Sequence, residues 1–166
     1  MIRKAAHGDV DVLVELINDL ARFERSAGSV RIDRDLLHAA LFGDSPTVFA
    51  HVAEEDESIV GMAVWFLNFS TWTGRHGIYL EDLYVRPEAR GRGVGLALIS
   101  ELASIAHRSG YGRVEWAVLD WNEAALRFYR SLGAVPMDEW TGYRLAGPAL
   151  AELAELAGRG PYRRMS

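Results

Sequence analysis

The segment Arg90-Gly91-Arg92-Gly93-Val94-Gly95 separates two stretches of opposite character and dictates how the chain runs on either side. Upstream, Gly77 to Arg86 is rich in apolar and aromatic residues and reads as a strand. Pro87 stops it, because proline lacks the donor that a ladder needs. Downstream, Leu96, Ile99, Leu102, Ala103 and Ala106 recur at helical spacing as far as Ser109, and Gly110 and Gly112 close that helix. Between them, glycine at alternate positions lets the backbone turn sharply and approach a ligand without Cβ contacts. Successive N–H groups then form an anion nest, reinforced by the positive end of the helix dipole. Arg90 and Arg92 add charge-assisted hydrogen bonds. The segment therefore predicts a diphosphate site. It is not a Walker A loop, since no Gly-Lys-Ser/Thr run exists, and it fails the dinucleotide pattern because Leu96 stands where the third glycine belongs.

Around this unit the other elements fall into place. Ile2 to Ala6 reads as a short strand, Asp9 as the cap of a helix reaching about Arg25, and Asp33 as the cap of a second helix through Phe42. Thr47 to Glu54 and Ile59 to Phe69 read as strands joined by the turn Glu55-Asp56-Glu57-Ser58. Arg113 to Leu119 is a further strand, and Asn122 caps a helix that ends at Gly133. Ala134 to Leu145 is expected to form a terminal hairpin around Thr141-Gly142, and Pro148 to Leu156 a short helix. The pattern is mixed α/β, in one domain over residues 1–157, with Gly158 to Ser166 expected to be a disordered tail.

Composition narrows the function. The 166 residues contain no cysteine, which removes disulfides, thiolate metal sites and a cysteine nucleophile. The five histidines show no metal-ligand spacing, and no metal site is expected. The longest apolar run, Ile59 to Phe69, is too short for a bilayer, which needs about 20 residues. With no signal-peptide core at the N-terminus, a cytoplasmic location is expected. A net charge of −5 argues against nucleic acid as a partner and mildly favours a cationic substrate.

Arg90, Gly93 and Gly95 match the Arg/Gln-x-x-Gly-x-Gly/Ala signature, and the chain resembles the GNAT N-acetyltransferases. YLEDLYVRPEARGRGVGLALI is similar to that family's fourth strand, pyrophosphate loop and third helix, and WNEAALRFYRSLGA to its Asn…Tyr helix. The diamine (spermidine/spermine) and thialysine acetyltransferases look nearest, through the LEDLYV and WN segments and an early run like Asp19-Leu20-Ala21-Arg22-Phe23-Glu24. The resemblance implies a mostly antiparallel twisted sheet whose parallel strands 4 and 5 splay apart, with helices on both faces. It implies acetyl-CoA as co-substrate in that notch: backbone of Leu83, Tyr84 and Val85 along the pantetheine, Arg90, Gly91, Arg92, Gly93, Val94, Gly95 and Leu96 around the pyrophosphate, and Asn122 at the far arm. A homodimer is also implied.

Acetyl transfer to an amine needs a neutral amine, a donor for the oxyanion and a proton for the leaving thiolate. Tyr129 is the candidate acid: with a reference pKa of about 10 against about 8.5 for a thiol, it is protonated at neutral pH. Glu81 is the candidate base, through water, with Asp82 beside it as the alternative. Ideal strand alternation sends the two to opposite faces, but a bulge would bring both towards the notch. A backbone N–H near Leu83 is the candidate oxyanion donor.

For the substrate, Glu24, Glu81 and Asp82 match acidic positions of the diamine enzymes, and Trp72 and Tyr143 offer aromatic faces for cation–π contact. Four positions depart from that pattern: Ser70 and Thr141 replace acids, Glu15 a base, and Glu115 a histidine. The expected substrate is a small cationic primary amine, a diamine or polyamine, or a lysine-like amine. Two alternatives stay open: a non-catalytic acyl-CoA sensor, and a protein N-terminal acetyltransferase.

Overall fold

The computed structural model describes residues 1–157, so the tail expectation for Gly158 to Ser166 lies outside the described residues. The chain divides into two compact units, Met1–Asn122 and a second that begins at Glu123.

The first unit is a five-stranded sheet in the order β1-β2-β3-β4-β5. The strands are β1 (Ile2–Lys4), β2 (Phe49–Glu55), β3 (Ser58–Ser70), β4 (Arg75–Val85) and β5 (Val114–Trp116). The first three pairings are antiparallel and β4 with β5 is parallel. Cross-strand partners share a face. Met62, Val64 and Tyr84 therefore lie with Ala50 and Val52 on one side, against Leu13, Leu16 and Leu41. Leu13 and Leu16 come from α1 (Val10–Phe23) and Leu41 from α2 (Arg34–Phe42). Trp65, Leu80 and Ile78 face the other way, and α3 (Val94–Arg108) packs on that side.

Local chemistry sets the helix boundaries. Asp33 caps α2 by accepting from the N–H groups of Asp35 and Leu36 at 2.8 and 3.0 Å. Asp9 does not cap α1 as expected. Its carboxylate turns back to Ala6 N–H (2.7 Å) and to the Arg3 guanidinium (2.6 and 3.1 Å), a bidentate charge pair that outweighs a cap bond. The buried row of α3 is Val94, Leu98, Ile99, Leu102 and Ala106, while Leu96 is exposed. The stripe expected from Leu96 and Ala103 is thus rotated towards the i, i+4 row through Leu98.

Two further expectations fail. β5 ends at Trp116 instead of running to Leu119, because β4 changes course where the pairing stops, as described below. Ala134 to Leu145 holds no strand among the described residues. Pro136 lacks a donor, Asp138 and Gly142 disfavour extended pairing, and a lone two-stranded hairpin is marginal in water. The second unit consists of α4 (Glu123–Ser131), this irregular segment and α5 (Gly147–Ala157), with Gly133 at φ 81 ending α4's turn.

Leu98 is fully buried beneath α3. Leu98→Ala is expected to destabilise the protein by about 2–5 kcal/mol, the range for a buried leucine truncated without collapse of its site. Urea denaturation of the two proteins measures it.

Candidate active site

The site grows out of one irregularity in β4. Val64 pairs with Asp82 but Trp65 pairs with Leu80, so Glu81 is an extra residue with no partner on β3. Such a bulge bends the strand and raises its twist. In a regular strand Asp82 would lie two residues past Leu80, on the α3 face. The extra residue turns it to the α1 face, opposite Val64. The parallel ladder to β5 stops at the same point, its last pair being Leu80 with Trp116. From Glu81 to Val85 the β5-facing edge of β4 carries no ladder, while the other edge stays paired to Gly61, Met62 and Ala63. That open edge includes Leu83, Tyr84 and Val85, the residues expected along a pantetheine arm. An extended arm could add to it as a further strand would.

Beyond Val85, the turn Pro87–Ala89 leads into the glycine loop. Gly91 and Gly93 adopt φ 74 and 83, the left-handed region closed to most side chains, and nothing lies within 4 Å of where a Cβ would stand on either. Conformation, not crowding, therefore requires glycine here. The first bond of α3 is Ala97 N–H to Gly93 C=O at 2.9 Å, so the N–H groups of Val94, Gly95 and Leu96 precede any intrahelical partner. This is the donor set expected for a diphosphate.

The arginines behave differently from the expectation. Arg90 Nε donates to Val85 C=O at 2.8 Å, and its guanidinium lies 5.0 Å from the Phe23 ring and 5.4 Å from the Tyr84 ring. Arg92 pairs with Glu55 at the β2–β3 turn. Moving Arg92 to a phosphate breaks its Glu55 pair, whereas Arg90 commits only its Nε–H. Breaking the exposed Arg92 pair costs little, about 0–1 kcal/mol.

The acidic residues gather next to this edge. Glu24 follows the last turn of α1, and burial raises its pKa. The pKa of Asp82 is pushed up to about 6, first by burial and then by the charges of Glu81 and Glu24. Glu81 itself is exposed. Of the adjacent carboxyls, Asp82 is thus the one whose proton is poised near neutrality. Phe23 packs on Trp121, with ring centroids 5.9 Å apart, and Arg25 lies 5.0 Å from the Trp121 ring. This aromatic border of the Glu24 region was not singled out from the sequence. Its two rings lie in segments that the sequence marks separately, the run ending at Glu24 and the one opening at Trp121.

The remaining candidates are dispersed. Trp72 is exposed in the turn between β3 and β4, roughly 20 Å along the strand from Asp82 at 3.3 Å per residue, so the fold does not bring them together. Asn122 closes the first unit, its N–H donating to Leu119 C=O at 2.8 Å. Tyr129 lies on α4 and the exposed Tyr143 in the irregular segment, both in the second unit. Glu115 accepts from Asn68 Nδ2 (2.6 Å) and Arg113 Nε (2.7 Å), and Glu15 pairs with Arg86. These two departures from the diamine pattern thus have structural partners. Among the described residues no cluster of three or more His, Asp or Glu could hold a metal, and no helix is long and apolar enough to cross a membrane.

Residues 12–134 match the sequence model of the acetyltransferase (GNAT) family. The chain belongs to the GNAT family. This acetyltransferase is 39% identical over 165 residues to the thialysine N-epsilon-acetyltransferase of Bos taurus, covering 93% of this chain and 96% of that protein. An L-ornithine N5-acetyltransferase of Arabidopsis thaliana is 38% identical over 101 residues, 61% of this chain and 44% of that one. Among solved structures, the integron cassette protein VCH_CASS6 from the mobile metagenome of V. cholerae superposes with a TM-score of 0.77 at 28% identity, covering 93% and 97% of the two chains. The open edge of β4 and the start of α3 both lie within the residues that the GNAT model matches.

The Asp82 shift has a thermodynamic sign. A carboxyl raised from 3.8 to about 6 costs the folded state nothing below pH 3.8, where it is protonated folded and unfolded, and the cost is complete once pH exceeds about 6. Asp82→Asn is expected to raise stability at pH 7.5 by about 1–3 kcal/mol, with the gain vanishing by about pH 4. Thermal denaturation at both pH values checks this; a gain independent of pH would contradict it.

Proposed function

We propose that this GNAT enzyme transfers the acetyl group of acetyl-CoA directly to a primary amine of a small cationic substrate, and that a lysine- or ornithine-like amino acid fits best. One juxtaposition carries the reading: an unpaired strand edge and a helix N-terminus suited to a phosphate-bearing thioester lie beside a carboxyl cluster suited to an ammonium group. The thialysine and ornithine relatives support the amino-acid choice. The polyamine alternative is weakened because acidic residues are missing at Ser70 and Thr141 and because Trp72 stands far from Asp82.

In this reading Leu83, Tyr84 and Val85 hold the pantetheine by main-chain bonds, and the N–H groups of Val94, Gly95 and Leu96 hold the pyrophosphate, with Gly91 and Gly93 supplying the turn. Arg90 and Arg92 contribute charge, and Asn122 meets the far arm. When bound, acetyl-CoA supplies the activated acetyl group. Glu24, Glu81 and Asp82 attract the ammonium. Asp82, with a pKa of about 6, then receives its proton, directly or through water, in preference to the exposed Glu81. A main-chain N–H near Leu83 steadies the developing oxyanion. Tyr129, an acid at neutral pH, protonates the departing sulfur. Residues 1–157 are taken as one functional domain and as cytoplasmic on the sequence pattern, and as homodimeric because the family resemblance implies it.

Purified protein, acetyl-CoA and a panel of thialysine, ornithine, lysine, spermidine and a peptide N-terminus should show thiol release with the amino-acid amines favoured. Release no faster than hydrolysis on every amine would overturn the reading. kcat/KM should fall as pH drops below about 6, and Asp82→Asn should lose that acid limb. Tyr129→Phe should lower kcat by about 10²-fold or more, the usual worth of a general acid, while leaving CoA affinity intact by calorimetry.

A further inference from the structure

A cavity of about 510 Å³ opens on the α3 side of the sheet, away from the glycine loop. Its lining includes Lys4 of β1, Phe49 and His51 of β2, Trp65 of β3, and Glu101 and Arg108 of α3. Glu101 lies two turns of helix beyond Val94, where α3 and its phosphate-binding N–H groups begin.

Three observations give this cavity a chemical preference. First, its aromatic rings are contiguous: Phe49 and Trp65 have centroids 4.6 Å apart, and His51 stacks on Trp65 at 6.0 Å and 22°. Such a surface suits a flat ring. Second, His51 is the one buried polar or charged residue in the described core, 3% exposed. Trp65 Nε1–H donates to its Nδ1 at 3.1 Å, so the neutral ring carries its proton on Nε2 and keeps a donor there. Burial holds it below its usual pKa and so in that neutral form, with the Glu101 charge opposing the shift and the Lys4 charge adding to it. Third, the rim carries one cation without an ion pair. Lys4 stands directly opposite His51 in the β1–β2 register and has no ion pair among the described residues. Arg108 shares the rim with Glu101, its partner at 3.5 Å. Arg3 also lines it but is neutralised by Asp9 and Glu54. A donor in the floor and an unpaired ammonium above it favour an acceptor-bearing, negatively charged ligand. That is the opposite of what the Glu24–Asp82 region favours.

We propose that this cavity is a second small-molecule site, separate from the transfer site, that takes a planar aromatic carboxylate: the ring lies against Phe49 and Trp65, and the carboxylate reaches Lys4, with His51 Nε2–H as a further donor. The pattern was visible in the sequence only as a histidine inside the apolar strand Phe49-Ala50-His51-Val52-Ala53.

The test titrates the full chain with 2-naphthoate by calorimetry, with and without saturating CoA. A parallel titration uses 2-naphthylmethylamine, which keeps the ring and reverses the charge. Saturable naphthoate binding unaffected by CoA, at least tenfold weaker for the amine and at least tenfold weaker in Lys4→Glu, is the expected result. Lys4 is exposed, so that variant keeps the fold; Trp65→Phe, which removes the donor that fixes His51, should also weaken naphthoate. No saturable binding, competition by CoA, equal binding of the amine, or full affinity in Lys4→Glu would each overturn the proposal. The titration without CoA reads the cavity even if the chain transfers no acetyl group.

Discussion

β4 loses one of its two neighbours at Leu80, and the rest of the site follows from that loss. A central strand is normally paired on both sides, which uses all its main-chain groups. Here one extra residue, Glu81, bends the strand, and β5 pairs with only Ile78, Tyr79 and Leu80. The unpaired stretch is tolerable because its other edge remains fixed to β3 and because Met62, Val64 and Tyr84 anchor it in the α1–α2 core. Stability therefore comes from one side of β4, while the other keeps main-chain groups open to a ligand.

The same bulge determines the electrostatics. It moves Asp82 from the face covered by α3 to the face where α1 ends, so that the half-buried Asp82 feels the charges of Glu81 and Glu24. A chain that sets like charges beside a half-buried carboxyl gives up stability, and a positive ligand relieves such repulsion. At the loop the arrangement is reversed: left-handed glycines and the first turn of α3 present donors, and both nearby arginines are parked on protein partners, Val85 C=O and Glu55. One strand–loop–helix unit thus presents regions of opposite sign a few residues apart.

The cavity on the far face of the sheet shows the same economy. The alternation that sends Val52 and Met62 to the α1 side sends His51 and Trp65 to the α3 side. A polar ring is tolerated there because Trp65 supplies its partner.

Periodicity and punctuation in the sequence were enough to determine the strand–loop–helix unit from Gly77 to Ser109, the β2–β3 hairpin, the two N-terminal helices and the left-handed glycines, because each depends on neighbours a few residues away. The motif residues Arg90, Gly93 and Gly95 also placed the family. What the sequence could not determine was anything that depends on which strand lies beside which: the early end of β5, the residue that forms the bulge, the face given to Asp82, the partners of Arg90 and Arg92, and the meeting of Lys4, His51 and Trp65. The hairpin expected over Ala134 to Leu145 failed for the same reason, since an extended segment becomes a strand only when another edge receives it. Register and pairing arise from contacts between residues far apart in the chain, and only the folded protein brings those residues together.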